Sequence, residues 1–149
     1  MFRYKGKSMY ELLYTSVSSR GLNEDELIDI QQVSMQNNFT YNVTGMLVYY
    51  DREIMQLLEG EEEDVKALYQ RIQRDERHTL MNVFYQGEIN ERAFDKWSME
   101  AVILDDEKAA QYILNAQESK RDNPISHLMN EKPNRGKKTF LSLRDSLFS

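Results

Sequence analysis

The runs Val43-Thr-Gly-Met-Leu-Val-Tyr-Tyr50 and Glu53-Ile-Met-Gln-Leu-Leu-Glu59, separated only by Asp51-Arg52, decide how this chain folds. Both are rich in β-branched, aromatic and long apolar residues, and a two-residue separation is the spacing of an antiparallel hairpin. Strand side chains alternate, so Ile54, Gln56 and Leu58 share one face of the second run. Gln56 is then a polar amide within an apolar strand. Burying it unpaired would cost about 1–3 kcal/mol, so it requires a hydrogen-bond partner.

On the N-terminal side, Tyr10-Glu-Leu-Leu-Tyr-Thr-Ser16 is a strand with Tyr10, Leu12, Tyr14 and Ser16 on one face. Asn23 and Glu26 have the spacing of a capping box and start a helix over about 24–37. Its stripe of Leu27, Ile30 and Val33 turns polar at Ser34, Asn37 and Asn38. On the C-terminal side, the acidic run Glu59-Gly-Glu-Glu-Glu-Asp64 reads as a solvated helix start matched to the helix dipole. Val65, Leu68, Tyr69 and Ile72 then form an amphipathic stripe, with Arg71, Arg74 and Arg77 towards its end. Leu80-Met-Asn-Val-Phe-Tyr-Gln86 and Trp97-Ser-Met-Glu-Ala-Val-Ile103 are further strands. The order βαββαββ predicts an α/β (α+β) fold: a ferredoxin-like two-layer sandwich with a mixed five-stranded sheet and two flanking helices. Residues 105–117 predict a C-terminal helical extension, placed to cross the other face of the sheet.

At 149 residues the chain suits one domain with an extension. A net charge of −6 disfavours direct nucleic-acid binding, and no run is long and apolar enough to span a membrane. Cysteine is absent, and two histidines, His78 and His127, are too few for most metal sites. The N-terminus lacks a secretory pattern, so the cytoplasm is the expected location. The charge is uneven: residues 119–149 carry +4 and the rest −10. That tail holds both prolines, Pro124 and Pro133, and reads as a solvated extension or as a segment docking on an acidic surface. Residues 139–148 have enough apolar positions for a short amphipathic helix.

No nucleophile–base pair or phosphate-binding glycine loop is visible, so an enzyme is not expected. What stands out is Tyr14, Asn38 and Gln56, polar residues where apolar ones would pack better. Singly, each has an ordinary explanation as a rim tyrosine, a helix C-cap or an edge glutamine. Together they make an apolar cleft with a few convergent hydrogen-bonding groups, suited to a planar heteroaromatic ligand.

Five ordered strings, Leu12-Leu-Tyr-Thr-Ser16, Asn37-Asn-Phe-Thr-Tyr-Asn-Val-Thr-Gly45, Met55-Gln-Leu-Leu-Glu-Gly-Glu61, Asp75-Glu-Arg-His78 and Phe94-Asp-Lys-Trp-Ser-Met99, resemble the BLUF family, sensors of blue light using FAD. The resemblance implies a photosensor domain over residues 9–104, with 105–149 as helical extension and basic tail, of the short stand-alone type. It implies FAD as cofactor, with FMN as the alternative. Tyr14 and Gln56 match the photoactive switch, in which light drives electron and proton transfer from Tyr14 to flavin and rearranges the hydrogen bonds of Gln56. Tyr14, Ile30, Ser34, Asn38, Gln56, Arg71, Ile72, Arg77 and His78 match cofactor-binding positions. Trp97 and Met99 match a relay to the C-terminal segment, whose output goes to a downstream partner protein, with a homo-oligomer expected. On this reading a chain cut after about residue 104 keeps its spectral response and loses its output. The rival readings are a flavin oxidoreductase and a light-insensitive ferredoxin-like binding module.

Overall fold

A computed structural model of the chain describes residues 9–18, 23, 25–26, 28–29, 42–76, 78–94, 100–132 and 135–147. Strands β1 (Met9–Ser18), β2 (Thr44–Tyr50), β3 (Glu53–Glu61), β4 (His78–Ile89) and β5 (Glu100–Ile103) form one sheet in the order β4-β1-β3-β2-β5. Strand β5 is parallel to β2 and the other pairings are antiparallel, so the sheet is mixed. Four described helices accompany it: α1 (Glu62–Gln73), α2 (Asp106–Tyr112), α3 (Pro124–Glu131) and α4 (Arg135–Leu147). Of the helix expected over 24–37, residues 25, 26, 28 and 29 are helical and the rest lie outside the described residues. Its start has the anticipated capping box. Glu26 N donates to Asn23 Oδ1 at 2.8 Å and Asn23 N to Glu26 Oε1 at 3.4 Å.

The β2–β3 hairpin turns on Asp51 and Arg52, both with positive φ (48° and 71°), as the two-residue turn matched to strand twist demands. Arg52 Nη2 donates to the Ser18 carbonyl at 2.9 Å and Ser18 N donates back to the Arg52 carbonyl at 2.8 Å, tying the end of β1 to this turn. Gly45, at φ 157°, lies so close to β3 that a Cβ there would sit 1.9 Å from the Leu57 carbonyl oxygen.

Strand alternation sorts the core into two faces. Tyr10, Leu12, Tyr14, Leu47, Ile54 and Leu58 pack with Val65 and Leu68 of α1. Leu13, Met46, Val48, Met55 and Leu57 point the other way, against Ile113, Leu128, Met129, Phe140 and Leu143. Helices therefore cover both faces. The solvated reading of the tail is overturned, because its apolar residues recur at helical spacing and close the second face. Salt bridging helps: Lys137 of α4 reaches Glu11 of β1 at 2.6 Å.

Several boundaries differ from those read in the sequence: β1 and β4 run longer than the expected 10–16 and 80–86, and two other differences bear on the site. Helix α2 ends at Tyr112 and not near 117, because Ile113 and Leu114 are buried in a turn. Asn115 Oδ1 then accepts from Glu118 N at 2.9 Å while Glu118 Oε2 accepts from Asn115 N at 2.9 Å, which starts a separate 3-10 turn over Glu118–Lys120. The acidic run is split as well. Glu62, Glu63 and Asp64 form the first turn of α1, as expected, and Glu59 lies in β3, as its strand run implies, but it is fully buried where a solvated residue was expected, and β3 continues to Glu61.

Candidate functional site

Gln56 finds its partner directly across the β1–β3 ladder. Tyr14 and Gln56 are opposite each other in register, on the α1 face, 0% and 1% exposed. Tyr14 Oη donates a hydrogen bond to Gln56 Oε1. The pairing answers the requirement seen in the sequence: each polar tip satisfies the other, where either alone would be a buried orphan costing about 1–3 kcal/mol. Because the amide oxygen faces Tyr14, the amide NH2 is the branch directed elsewhere.

Apolar and aromatic residues surround this pair. Ile54 and Leu58 flank Gln56 on its own strand face, Leu47 lies opposite Gln56 on β2, and Leu68 comes from α1. Tyr69, taken in the sequence for one more residue of the α1 stripe, sets its ring 5.2 Å from that of Tyr14 at an interplanar angle of 59°. Nothing in the helical spacing distinguishes it from a plain core residue. Burial pushes the Tyr14 phenol far above its ordinary value, and Tyr69 and Asp75 push it further. Tyr14 is thus a neutral donor at any physiological pH.

The remaining sequence-derived positions divide in two. Ile72 is half-buried on α1 and packs against the core that holds Tyr14, while Arg71 is exposed in the last turn of α1, where a cation suits the helix dipole. His78 opens β4 opposite Ser18. Ile30, Ser34, Asn38, Arg77, Trp97 and Met99 lie outside the described residues.

Sequence reasoning missed the carboxylates on the opposite face. Glu59 Oε2 accepts from Ala93 N and Oε1 from Phe94 N, each at 2.8 Å, and Arg92 Nη2 donates to the Asn42 carbonyl at 2.7 Å. Residues 92–94 are thereby fastened to the β2–β3 hairpin just before the stretch containing Trp97. Glu53 accepts from the start of α3. Burial raises the affinity of both carboxyls for a proton, against the hydrogen bonds that favour the charge. The available signal was alternation: Glu53, Met55, Leu57 and Glu59 share the strand face opposite Gln56.

Among the described residues no helix is long and apolar enough to cross a membrane. Residues 9–100 match the sequence profile of the family described as sensors of blue-light using FAD. Over 83 residues the chain is 31% identical to photoactivated adenylate cyclase subunit alpha of Euglena gracilis, covering 56% of this chain but only 8% of that protein. Among solved structures, a bacterial light-regulated adenylyl cyclase is similar at 35% identity and a TM-score of 0.70, over 83% of this chain and 36% of that one. BlrB, a BLUF protein in its dark state, shares the fold at a TM-score of 0.72 and 21% identity, over 91% of this chain and 97% of that one. With a buried tyrosine and glutamine paired across the central strands and the profile matched over most of the chain, this protein belongs to the BLUF family.

Proposed function

We propose that this chain is a blue-light sensor that binds FAD non-covalently on the α1 face of its sheet and signals through the C-terminal segment to a separate partner protein. The observation that carries the reading is the buried Tyr14–Gln56 hydrogen bond. The donor set suits a flavin. Its ring edge offers acceptors, the Gln56 NH2 is a donor, and the surrounding walls are apolar. Ile30 and Ile72 would hold the ring, Ser34 and Asn38 would hydrogen-bond its polar edge, and Arg77, His78 and Arg71 would serve the phosphate chain. FMN, which shares that ring, is the alternative cofactor.

When bound, the flavin supplies absorption of blue light and, once excited, oxidising power. The protein's part follows from the geometry. A phenol held so far above its ordinary pKa stays protonated, so an electron given to a bound, excited flavin would come from the neutral phenol, whose proton would then have to leave along its hydrogen bond. That hydrogen bond would direct the proton to one place, Gln56 Oε1. When Tyr14 recovers both, the amide is left with altered hydrogen bonds. Trp97 and Met99 then relay the change to the C-terminal segment. The chain acts as a sensor rather than a catalyst, in the cytoplasm and as a homo-oligomer.

An absorption spectrum of the purified protein before and after blue light tests this. The expected result is a flavin spectrum that shifts slightly to the red under light and returns in the dark. A colourless protein after gentle purification favours the light-insensitive binding module, and steady oxidation of a reduced nicotinamide favours the oxidoreductase.

A further inference from the structure

Helix α3 begins without a cap of its own. Asn123, its N-cap residue, has a left-handed φ of 51° and its side chain makes no capping hydrogen bond, and Pro124 contributes no N–H. The first two N–H groups are taken instead by Glu53, far away in sequence on β3. Its Oε1 accepts from Ile125 N at 2.7 Å, and its Oε2 accepts from Ser126 N at 2.7 Å and Ser126 Oγ at 2.9 Å. Thr15 Oγ1 lies 3.4 Å from the same Ser126 hydroxyl. Glu53 is 0% exposed, so this is a carboxyl clasp shielded from water, where hydrogen bonds are strong.

Its position is what matters. Thr15 follows Tyr14 on β1, and Glu53 stands three residues from Gln56 on β3, about 10 Å along the strand. In the β1–β3 register Tyr14 faces Gln56 and Val17 faces Glu53, so the clasp and the switch are built on the same two strands, on opposite faces. We propose that Glu53 is a positioning residue that couples the switch to the C-terminal helices: a rearrangement at Gln56 shifts β3, and the clasp on α3 loosens in response. This rests on the photosensor reading and adds to it a second path besides residues 97–99, along β3 itself.

Hydrogen exchange of the full chain, with added FAD, in darkness and under continuous blue light, read at the amides of residues 125–131, tests the coupling. Light is expected to speed exchange there by about tenfold, the factor for weakening a hydrogen bond to a buried carboxyl. In Glu53→Gln the amide NH2 would oppose an N–H donor, so dark exchange should already be at the lit rate, with the light difference gone and the red shift intact. Ser126→Ala removes only the hydroxyl and should give an intermediate dark rate and a smaller light difference. If Glu53→Gln does not fold, Ser126→Ala decides: a light difference equal to that of the unaltered chain overturns the proposal. A red shift with light-independent exchange in the unaltered chain overturns the coupling and leaves the photosensor reading standing. No spectral change at all removes both.

Discussion

The two faces of the sheet bury polar groups in opposite ways. Against α1 the polar centre is neutral, a phenol and an amide bonded to each other amid apolar side chains. Against the C-terminal helices the polar groups are carboxylates: Glu11 on Lys137, Glu53 on the start of α3, and Glu59 on residues 93–94. A neutral hydrogen bond has a net worth of about 0.5–1.5 kcal/mol, whereas bonds to charged groups are worth about 1.5–3. Neutral donors and acceptors can therefore exchange partners at low cost, while buried carboxyls release theirs only when driven. The sheet separates a centre that rearranges from anchors that yield only to a shift of the strand beneath them.

The largest test breaks the neutral side. Tyr14→Phe keeps the ring against Tyr69 but deletes the hydroxyl, so flavin should be retained and the red-shifted state lost entirely, as read by absorption after blue light. Gln56→Ala should give the same result. A normal photocycle in Tyr14→Phe would remove Tyr14 from the switch. Next comes the anchored side. Glu59→Ala leaves the N–H groups of Ala93 and Phe94 buried without their acceptor and should cost about 3 kcal/mol in urea unfolding, since each buried orphan costs about 1–3. The red shift should survive it, because Glu59 faces away from Gln56.

The contrast also explains what was legible in the sequence. Period-two alternation marked Gln56 as a buried amide in need of a partner; that the partner is the register neighbour Tyr14 depends on β1 pairing with β3, which are not joined as a hairpin, so local pattern showed the need and only the family resemblance joined the two residues. The anchors were not legible. Glu59 lies in a run of acidic residues whose later members form the first turn of α1, and only the position of the strand–helix boundary separates the buried member from them. The partners of Glu53 come from a segment whose prolines and charges suggest a solvated tail. Composition weighs residues one by one, whereas Ile125, Leu128 and Met129 act together by meeting the apolar face that Leu13, Met46 and Met55 leave bare. For the same reason a chain cut after residue 104 would uncover that face, and output has to be measured on the full chain.

A smaller effect probes how closely the C-terminal helices sit. A Cβ at Gly136 of α4 would come 2.5 Å from Leu13 Cδ2 and 2.5 Å from Met129 Cε. Gly136→Ala gains about 1 kcal/mol of helix propensity. It also overpacks the contact at a cost of about 1–3 kcal/mol. Both obstacles are ends of flexible side chains, so a net destabilisation of about 1 kcal/mol is expected in urea unfolding. A stabilised variant would show that α4 stands further from β1 than the geometry says.

The smallest effect separates the faces by pH. Burial holds the carboxyls of Glu53 and Glu59 above the ordinary carboxylate range, so between that range and their folded values the native chain carries protons that the unfolded chain has lost. Their contribution to stability is full below the ordinary range and is lost as pH rises through the raised values. The urea midpoint should fall as pH rises from the ordinary carboxylate range through the raised values, and Glu53→Gln and Glu59→Gln should each flatten the slope. Tyr14 does not titrate in that window, because burial moves its phenol further up from an ordinary value that is already alkaline. The extent of the red shift should therefore stay constant while stability changes. A red shift that titrates alongside a flat stability profile would place the ionising group on the α1 face and undo the division between a switch that does not titrate and anchors that do.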